Sequence, residues 1–183
     1  ALQVEKLGVD GLLAVVPYYN KPNQESLYAH FSAIAQATEL PIMLYNVPGR
    51  TVANMTAETS VKLSKISNIV ALKEASGNLT QLATVVRDAE KDFLVYTGED
   101  AQILPTLAVG GYGVVSVASH VVCSEIVDMV DSYLNGNVNE AMKMHLRLIN
   151  IFDKLFMTAN PIPVKAALNL LGFDVGITRL PLA

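Results

Sequence analysis

The sequence predicts an α/β fold, a (β/α)8 or TIM barrel, of which this chain carries about the last five βα units and a set of C-terminal helices. Short apolar runs alternate with segments of helical length, which is typical of βα units that form a parallel sheet. The runs are almost continuously apolar, as expected for strands covered on both faces. Pro17, and not a glycine-rich phosphate turn, follows the first run, which disfavours a doubly wound sheet.

Each element follows from its local pattern. The predicted strands are residues 12–16, 42–45, 69–73, 93–97 and 114–117. The predicted helices are residues 24–38, 57–66, 79–89, 101–109, 124–134, 138–157 and 163–171. Thr56 is the expected N-cap of the second helix, since a threonine hydroxyl can accept a hydrogen bond from a free N–H of the first turn. Beyond residue 137 the pattern is wholly helical.

The number of strands bears on domain organisation. A complete barrel has eight strands and typically about 250 residues, whereas these 183 residues supply five predicted strands. We therefore expect βα units four to eight within residues 1–136, C-terminal helices in residues 137–183, and no counterpart of the first three units. Residues 1–7 look like the end of a helix closed by Gly8. An incomplete barrel leaves open sheet edges, so a non-catalytic truncated fragment is one alternative.

Composition narrows the function classes. About half of the residues are hydrophobic, 51%, and the 13 Lys and Arg residues are scattered in a chain of net charge −4, so we expect no nucleic-acid partner. The single cysteine, Cys123, indicates a reducing, cytoplasmic compartment. No apolar run approaches the roughly 20 residues of a membrane span. His30, His120 and His145 lack metal-ligand spacing, so no metal site is expected.

Lys73 is the first candidate for chemistry, because it ends an otherwise apolar strand. Side chains alternate along a strand, so Ile69, Ala71 and Lys73 share one face. If that face is the barrel interior, burial disfavours the charged ammonium and leaves an amine that can attack a carbonyl and form a Schiff base. The alternative is a surface lysine that pairs with Glu74.

Tyr45 ends the preceding strand in the same way. Neighbouring strands lie about 4.8 Å apart, so two long side chains at their carboxyl ends can meet over one substrate. A phenol can donate and accept the protons that Schiff-base formation requires, although a tyrosine taken alone is more typically a core aromatic. The pair of Tyr45 and Lys73 favours Schiff-base chemistry of the class I aldolase type on a carbonyl substrate.

Four strings carry a family resemblance. They are YNVPGR at residues 45–50, ALKEAS at 71–76, PYYNKP at 17–22 and NPIPVK at 160–165. Together they resemble the dihydrodipicolinate synthase and N-acetylneuraminate lyase superfamily, and the resemblance extends from end to end of the chain. It implies a pyruvate-dependent (β/α)8 lyase in which Lys73 forms the Schiff base and Tyr45 relays protons.

The resemblance also implies roles for further residues. Tyr19 matches a tyrosine that, in the synthase branch, reaches across a subunit interface to complete the relay with Tyr45 and a threonine. The stretch that carries this threonine has no counterpart here. A homo-oligomer, a dimer or a tetramer, is therefore expected. Arg50 matches the arginine that holds the semialdehyde substrate.

Three more positions are matched in the same way. Gly98 and Val115 fall where the superfamily lines the pyruvate pocket with backbone groups. Tyr18 falls where feedback-inhibited synthases contact allosteric lysine. These matches come from the resemblance alone.

The expected reaction is the condensation of pyruvate with L-aspartate 4-semialdehyde in diaminopimelate and lysine biosynthesis. No organic cofactor and no metal is expected, because the protonated imine itself acts as the electron sink. Another pyruvate-dependent aldolase of the superfamily, acting on N-acetylneuraminate or a sugar acid, remains an alternative beside the non-catalytic fragment.

Overall fold

The computed structural model describes residues 1–183 and contains one parallel sheet. Its strands are β1 (Leu12–Val15), β2 (Ile42–Asn46), β3 (Ile69–Glu74), β4 (Leu94–Thr97) and β5 (Gly113–Val114). They lie in the order β1-β2-β3-β4-β5, and every neighbouring pair is parallel. A doubly wound sheet reverses its order at a switch point, whereas this sheet follows chain order throughout. The predicted α/β class with successive βα units is confirmed.

The helices lie between and after the strands. They are α1 (Leu2–Glu5), α2 (Gln24–Gln36), α3 (Pro48–Thr51), α4 (Ala57–Leu63), α5 (Leu79–Asp88), α6 (Ile103–Ala108), α7 (Ser119–Leu134), α8 (Val138–Lys154) and α9 (Ile162–Leu170), with a 3-10 turn at Asp100–Gln102. Side chains cap three of them: Asn23 begins α2, Thr56 begins α4 as predicted, and Asn78 begins α5. No helix is both long enough and apolar enough to cross a membrane.

The chain divides into two compact units, residues 1–99 with 105–115 and residues 100–104 with 116–183. In the first unit, one face of the sheet packs against α2, α4 and α5. Leu44 and Leu72 are fully buried there among Phe31, Leu63 and Val85. Because side chains alternate, the residues next to Leu44 and Leu72 point to the opposite face. The hydrophobic core thus fixes the direction of the candidate site residues.

The second unit contains the 3-10 turn and helices α7, α8 and α9, and α7 packs on α8. The prediction placed the start of α7 near residue 124, but the helix begins at Ser119 and contains a kink at Val122. The reason is a distant contact: one carboxylate oxygen of Asp100 accepts the N–H groups of Val117, at 3.2 Å, and Ala118, at 2.9 Å. A carboxylate at a helix N-terminus stabilises the first turn, so α7 starts earlier than its local sequence indicates.

Helices α4 and α8 each end three residues earlier than predicted, at Leu63 and Lys154. Two further differences concern β5 and α3. Strand β5 is shorter than predicted, because the chain turns at Ser116, whose hydroxyl oxygen accepts the N–H of Ser119 at 2.8 Å. The one-turn helix α3 was not predicted, although Pro48 at its first position is favourable there. Neither difference displaces the sheet.

Candidate active site

Lys73 and Tyr45 lie side by side on neighbouring strands. They are Cα partners in the β2–β3 register, and both are half-buried. The Lys73 Nζ lies 4.2 Å from the centroid of the Tyr45 ring, within the range in which an aromatic ring attracts an ammonium. The predicted proximity of these two residues is confirmed, while their chemical roles stay predictions.

Gly98 has no side chain, and the Lys73 side chain occupies part of the space that one would fill. It follows β4, and a Cβ at this position would lie 2.6 Å from the Ala75 Cβ and 2.9 Å from the Lys73 Cε. Carbon atoms in contact normally lie about 3.5 to 4.0 Å apart. Any side chain at position 98 would therefore displace the lysine stem. The sequence singled out Gly98 only through the family resemblance, and the structure supplies a steric reason for glycine.

Two charged residues act on the Tyr45 phenol. Burial raises the pKa of Tyr45, the Arg50 guanidinium lowers this pKa, and the Glu99 carboxylate raises it further. The net direction is upward, so the phenol is protonated at neutral pH and acts first as a proton donor. Glu99 was not among the predicted site residues. Its position directly after Gly98, at the carboxyl end of a strand, was the available signal.

The opposite effects of these two charges give a prediction. Arg50→Ala is expected to raise the pKa of Tyr45 above its wild-type value, and Glu99→Gln is expected to lower it, because each removes a charge of opposite sign. An NMR titration of the 13C-labelled tyrosine ring measures both shifts. Arg87→Ala is the control, since this exposed arginine pairs with Asp88. Shifts in the same direction for both site variants would contradict the assignment.

Three further predicted residues are exposed to solvent. Arg50 is exposed in the last turn of α3. Tyr18 and Tyr19 lie at the surface, 69% and 89% exposed, and Tyr19 has a left-handed φ of 72° that few residues other than glycine adopt. The structure therefore does not pack these two tyrosines into the site formed by Lys73 and Tyr45.

Val115 and Gly98 were predicted to offer backbone groups to a ligand. The Val115 N–H donates to the Thr97 carbonyl at 2.9 Å, and the Gly98 N–H donates to the Glu74 carbonyl at 2.8 Å. Both amides thus continue the sheet ladder. Neither N–H is therefore free to donate to a ligand.

Other residues near the pair were not predicted from the sequence. Tyr96 is the Cα partner of Lys73 on β4, and its ring meets that of Tyr112 edge to face at 5.2 Å. Burial raises the pKa of Tyr96. Asn46 and Glu74, directly after Tyr45 and Lys73, are buried on the other face. No group of three or more His, Cys, Asp or Glu side chains is arranged to hold a metal ion.

Comparisons with known proteins show which family this chain resembles. The model of the dihydrodipicolinate synthetase family matches residues 1–183. The 4-hydroxy-tetrahydrodipicolinate synthase of Heliobacterium modesticaldum is 56% identical over 180 residues, which are 98% of this chain and 60% of that protein. Likewise, this chain spans 61% of the length of the relative from Dehalococcoides mccartyi strain CBDB1, at 53% identity.

Solved structures show the same fold. The lysine-bound enzyme from Cyanidioschyzon merolae superposes with a TM-score of 0.97 at 57% identity, over 100% of this chain and 62% of that one. The chloride-inhibited dihydrodipicolinate synthase from Acinetobacter baumannii, complexed with pyruvate, gives 0.92 at 38% identity, over 98% of this chain and 62% of that one. With a family match along its whole length and these structural relatives, the chain belongs to the dihydrodipicolinate synthetase family.

Proposed function

We propose that the protein that carries this chain is a class I aldolase-type lyase, a 4-hydroxy-tetrahydrodipicolinate synthase. It condenses pyruvate with L-aspartate 4-semialdehyde in diaminopimelate and lysine biosynthesis. The observation that carries the proposal is the contact of Lys73 Nζ with the Tyr45 ring, 4.2 Å from its centroid, at the carboxyl ends of paired strands. Family membership and the names of the relatives support it.

In the first step, the neutral Lys73 amine attacks C2 of pyruvate and forms a carbinolamine. Tyr45 is protonated at neutral pH because burial raises its pKa, so it donates a proton to the departing oxygen. Water leaves, and a protonated imine joins C2 to the lysine nitrogen. The attack requires the neutral amine, because an ammonium has no lone pair to offer to the carbonyl carbon.

In the second step, the imine nitrogen withdraws electrons and the pyruvate methyl group loses a proton to the Tyr45 phenolate left by the first step, which gives an enamine and restores the phenol. The enamine carbon attacks the aldehyde carbon of the semialdehyde, a C–C bond forms, and the new alkoxide takes a proton from the phenol. The substrate amino group then adds to the imine carbon, closes the ring and expels Lys73 as a free amine. The imine is the only electron sink required, so the proposal includes no metal and no organic cofactor.

Arg50 is proposed to bind the second substrate. Its guanidinium is exposed but lies close enough to Tyr45 to lower the phenol pKa. A guanidinium can hold a carboxylate with two parallel hydrogen bonds, and the semialdehyde carries a carboxylate. This observation favours the synthase reaction over a sialic-acid or sugar-acid lyase reaction. An aldehyde panel with pyruvate held constant distinguishes these activities.

We also propose the remaining roles that the family resemblance implies. Tyr19 is proposed to complete the proton relay from a second subunit of a homo-oligomer, which suits its 89% exposed side chain. Tyr18 is proposed to contact allosteric lysine, and Gly98 and Val115 to line the pyruvate pocket. We also propose that residues 1–136 supply barrel units four to eight, that residues 137–183 form C-terminal helices, and that the enzyme is cytoplasmic.

The imine can be trapped directly. Borohydride added together with pyruvate is expected to reduce the imine and to add the mass of a pyruvate residue to the peptide that contains Lys73, read by peptide mass spectrometry. Borohydride without pyruvate is the control. Lys165 of α9 ends the string NPIPVK and is another lysine in the segments that resemble the family. The peptide with Lys165 is expected to stay unmodified. If no pyruvate-dependent adduct forms, or if it forms at Lys165, the proposal fails.

A further inference from the structure

A pair of polar side chains is buried directly behind the proposed Schiff-base site. Asn46 follows Tyr45, Glu74 follows Lys73, and Asn46 and Glu74 are Cα partners. Because side chains alternate, they point to the helix-packed face. Asn46 is 0% exposed and Glu74 is 2% exposed. A carboxylate is rarely buried so deeply unless its hydrogen bonds are satisfied, so its partners are informative.

The Glu74 carboxylate joins three segments of the chain. Its Oε1 accepts the N–H of Ser76 at 2.8 Å, in the turn after β3. Its Oε2 accepts a hydrogen bond from the Gln81 Nε2 of α5 at 2.9 Å. The Asn46 Nδ2, at the end of β2, lies 3.1 Å from Oε1 and 3.0 Å from Oε2. One charged group therefore receives N–H donors from two strand ends and a helix.

The same hydrogen bonds extend to the loop after α3. The Asn46 Oδ1 accepts the N–H of Met55 at 2.9 Å, and its Nδ2 lies 2.8 Å from the Asn54 Oδ1. The Asn54 Nδ2 in turn donates to the Gln81 Oε1 at 2.9 Å. This loop follows the helix that carries Arg50. The polar cluster of Asn46, Asn54, Glu74 and Gln81 thus connects the segments that carry the three main proposed site residues. These are Tyr45, Lys73 and Arg50.

We infer that Glu74 is a positioning residue for the imine chemistry. Its carboxylate holds the carboxyl ends of β2 and β3 in register, so that the Lys73 amine stays against the Tyr45 ring. The inference rests on the proposed function. Lysine is a point charge on a flexible stem, and a misplacement of about 1 Å at a reacting group can cost about 10²-fold in rate. Hydrogen bonds to a buried charge are strong enough to fix such a position.

The test is Glu74→Gln in the protein that carries this chain. The variant replaces one acceptor oxygen with an N–H that faces the donors of Asn46 and Gln81. We expect the rate constant of imine formation, measured by timed borohydride quenching with pyruvate, to fall about 10²-fold. We expect kcat to fall much more than KM for pyruvate changes. Gln81→Met, which keeps the carboxylate but removes one donor, is expected to lose about tenfold.

A matched control separates positioning from general stability. Asn68 directly precedes β3 and fixes the amino end of this strand to the end of α2. Its Nδ2 donates to the carbonyls of Ala35, at 2.9 Å, and Thr38, at 2.8 Å. Asn68→Ala is expected to lower Tm without changing the rate of imine formation. In the double variant Asn46→Asp with Glu74→Gln, the amide at position 74 donates and the carboxylate at position 46 accepts. This change restores the hydrogen bond with its direction reversed. It is expected to recover about tenfold of the rate lost in the single variant.

The possible outcomes separate a failure of the proposed function from a failure of the positioning role. If the wild-type protein forms no adduct, the proposed function is overturned, and the positioning role falls with it. If the wild type forms the adduct and both Glu74→Gln and Gln81→Met react at its rate, only the positioning role is overturned. An equal loss of rate in Asn68→Ala would also overturn it. Should Glu74→Gln fail to fold, the rate of Gln81→Met decides.

Discussion

Replacing Lys73 with methionine is expected to lower kcat by about 10⁴-fold or more, because removal of a covalent nucleophile abolishes the imine route. Methionine retains most of the stem that lies against Gly98, so the packing is preserved while the amine is lost. Steady-state kinetics with pyruvate and the semialdehyde measure the loss. The pyruvate-dependent borohydride adduct should disappear in the same variant.

Two controls make this result specific. Lys165→Met removes the lysine of α9, whose Nζ donates to the Ile177 carbonyl at 2.8 Å, and it is expected to leave the adduct and kcat unchanged. A thermal melt should still show a cooperative transition in Lys73→Met, because methionine keeps most of the apolar stem that lies beside Gly98. An adduct that persists without Lys73 would rule out this residue as the Schiff-base former.

Tyr45→Phe is expected to give the second largest effect, a fall in the rate of imine formation of about 10² to 10⁴-fold. The variant keeps the aromatic ring that lies 4.2 Å from the Lys73 Nζ and removes only the hydroxyl. The loss therefore reports proton transfer and not the placement of the amine. Timed borohydride quenching measures the rate, and the peptide mass should still identify Lys73 as the reacting lysine.

Tyr96→Phe is the matched comparison for Tyr45→Phe. Tyr96 is a Cα partner of Lys73 on the opposite neighbouring strand, and burial raises its pKa as it does that of Tyr45. We expect this variant to change the rate of imine formation by less than about tenfold, because its ring packs on Tyr112. Equal losses in the two variants would contradict a specific relay role for Tyr45.

The features predicted well from the sequence depend on local patterns. Strands β1 to β4 were found within one residue at each end, because continuous apolar runs mark covered parallel strands. Thr56 was recognised as an N-cap from its residue type and position. The contact of Tyr45 with Lys73 followed from two such strands that are consecutive in sequence and pair in parallel.

The features that were missed depend on contacts between distant residues. The Asn46 side chain meets Glu74 across a separation of 28 residues, and Asp100 caps α7 from 18 residues away. Neither pairing leaves a periodic signal in the sequence. From the sequence alone, Glu74 could pair with Lys73 at the surface. The structure instead places the Glu74 carboxylate on the opposite face of the sheet, where its hydrogen-bond donors are neutral N–H groups. Alternation along the strand is compatible with Glu74 on either face of the sheet. Only the tertiary structure shows which face packs against the helices.

The absence of a side chain at Gly98 is required from two sides. A Cβ there would lie 2.9 Å from the Lys73 Cε, on a flexible stem that can move, but 2.6 Å from the Ala75 Cβ, whose position is fixed by the backbone. Loss of the amine at position 73 would therefore relieve only one of the two contacts. Glycine at 98 thus reflects the close approach of the segments that follow β3 and β4, and we expect it to persist in descendants that abandon the chemistry at position 73.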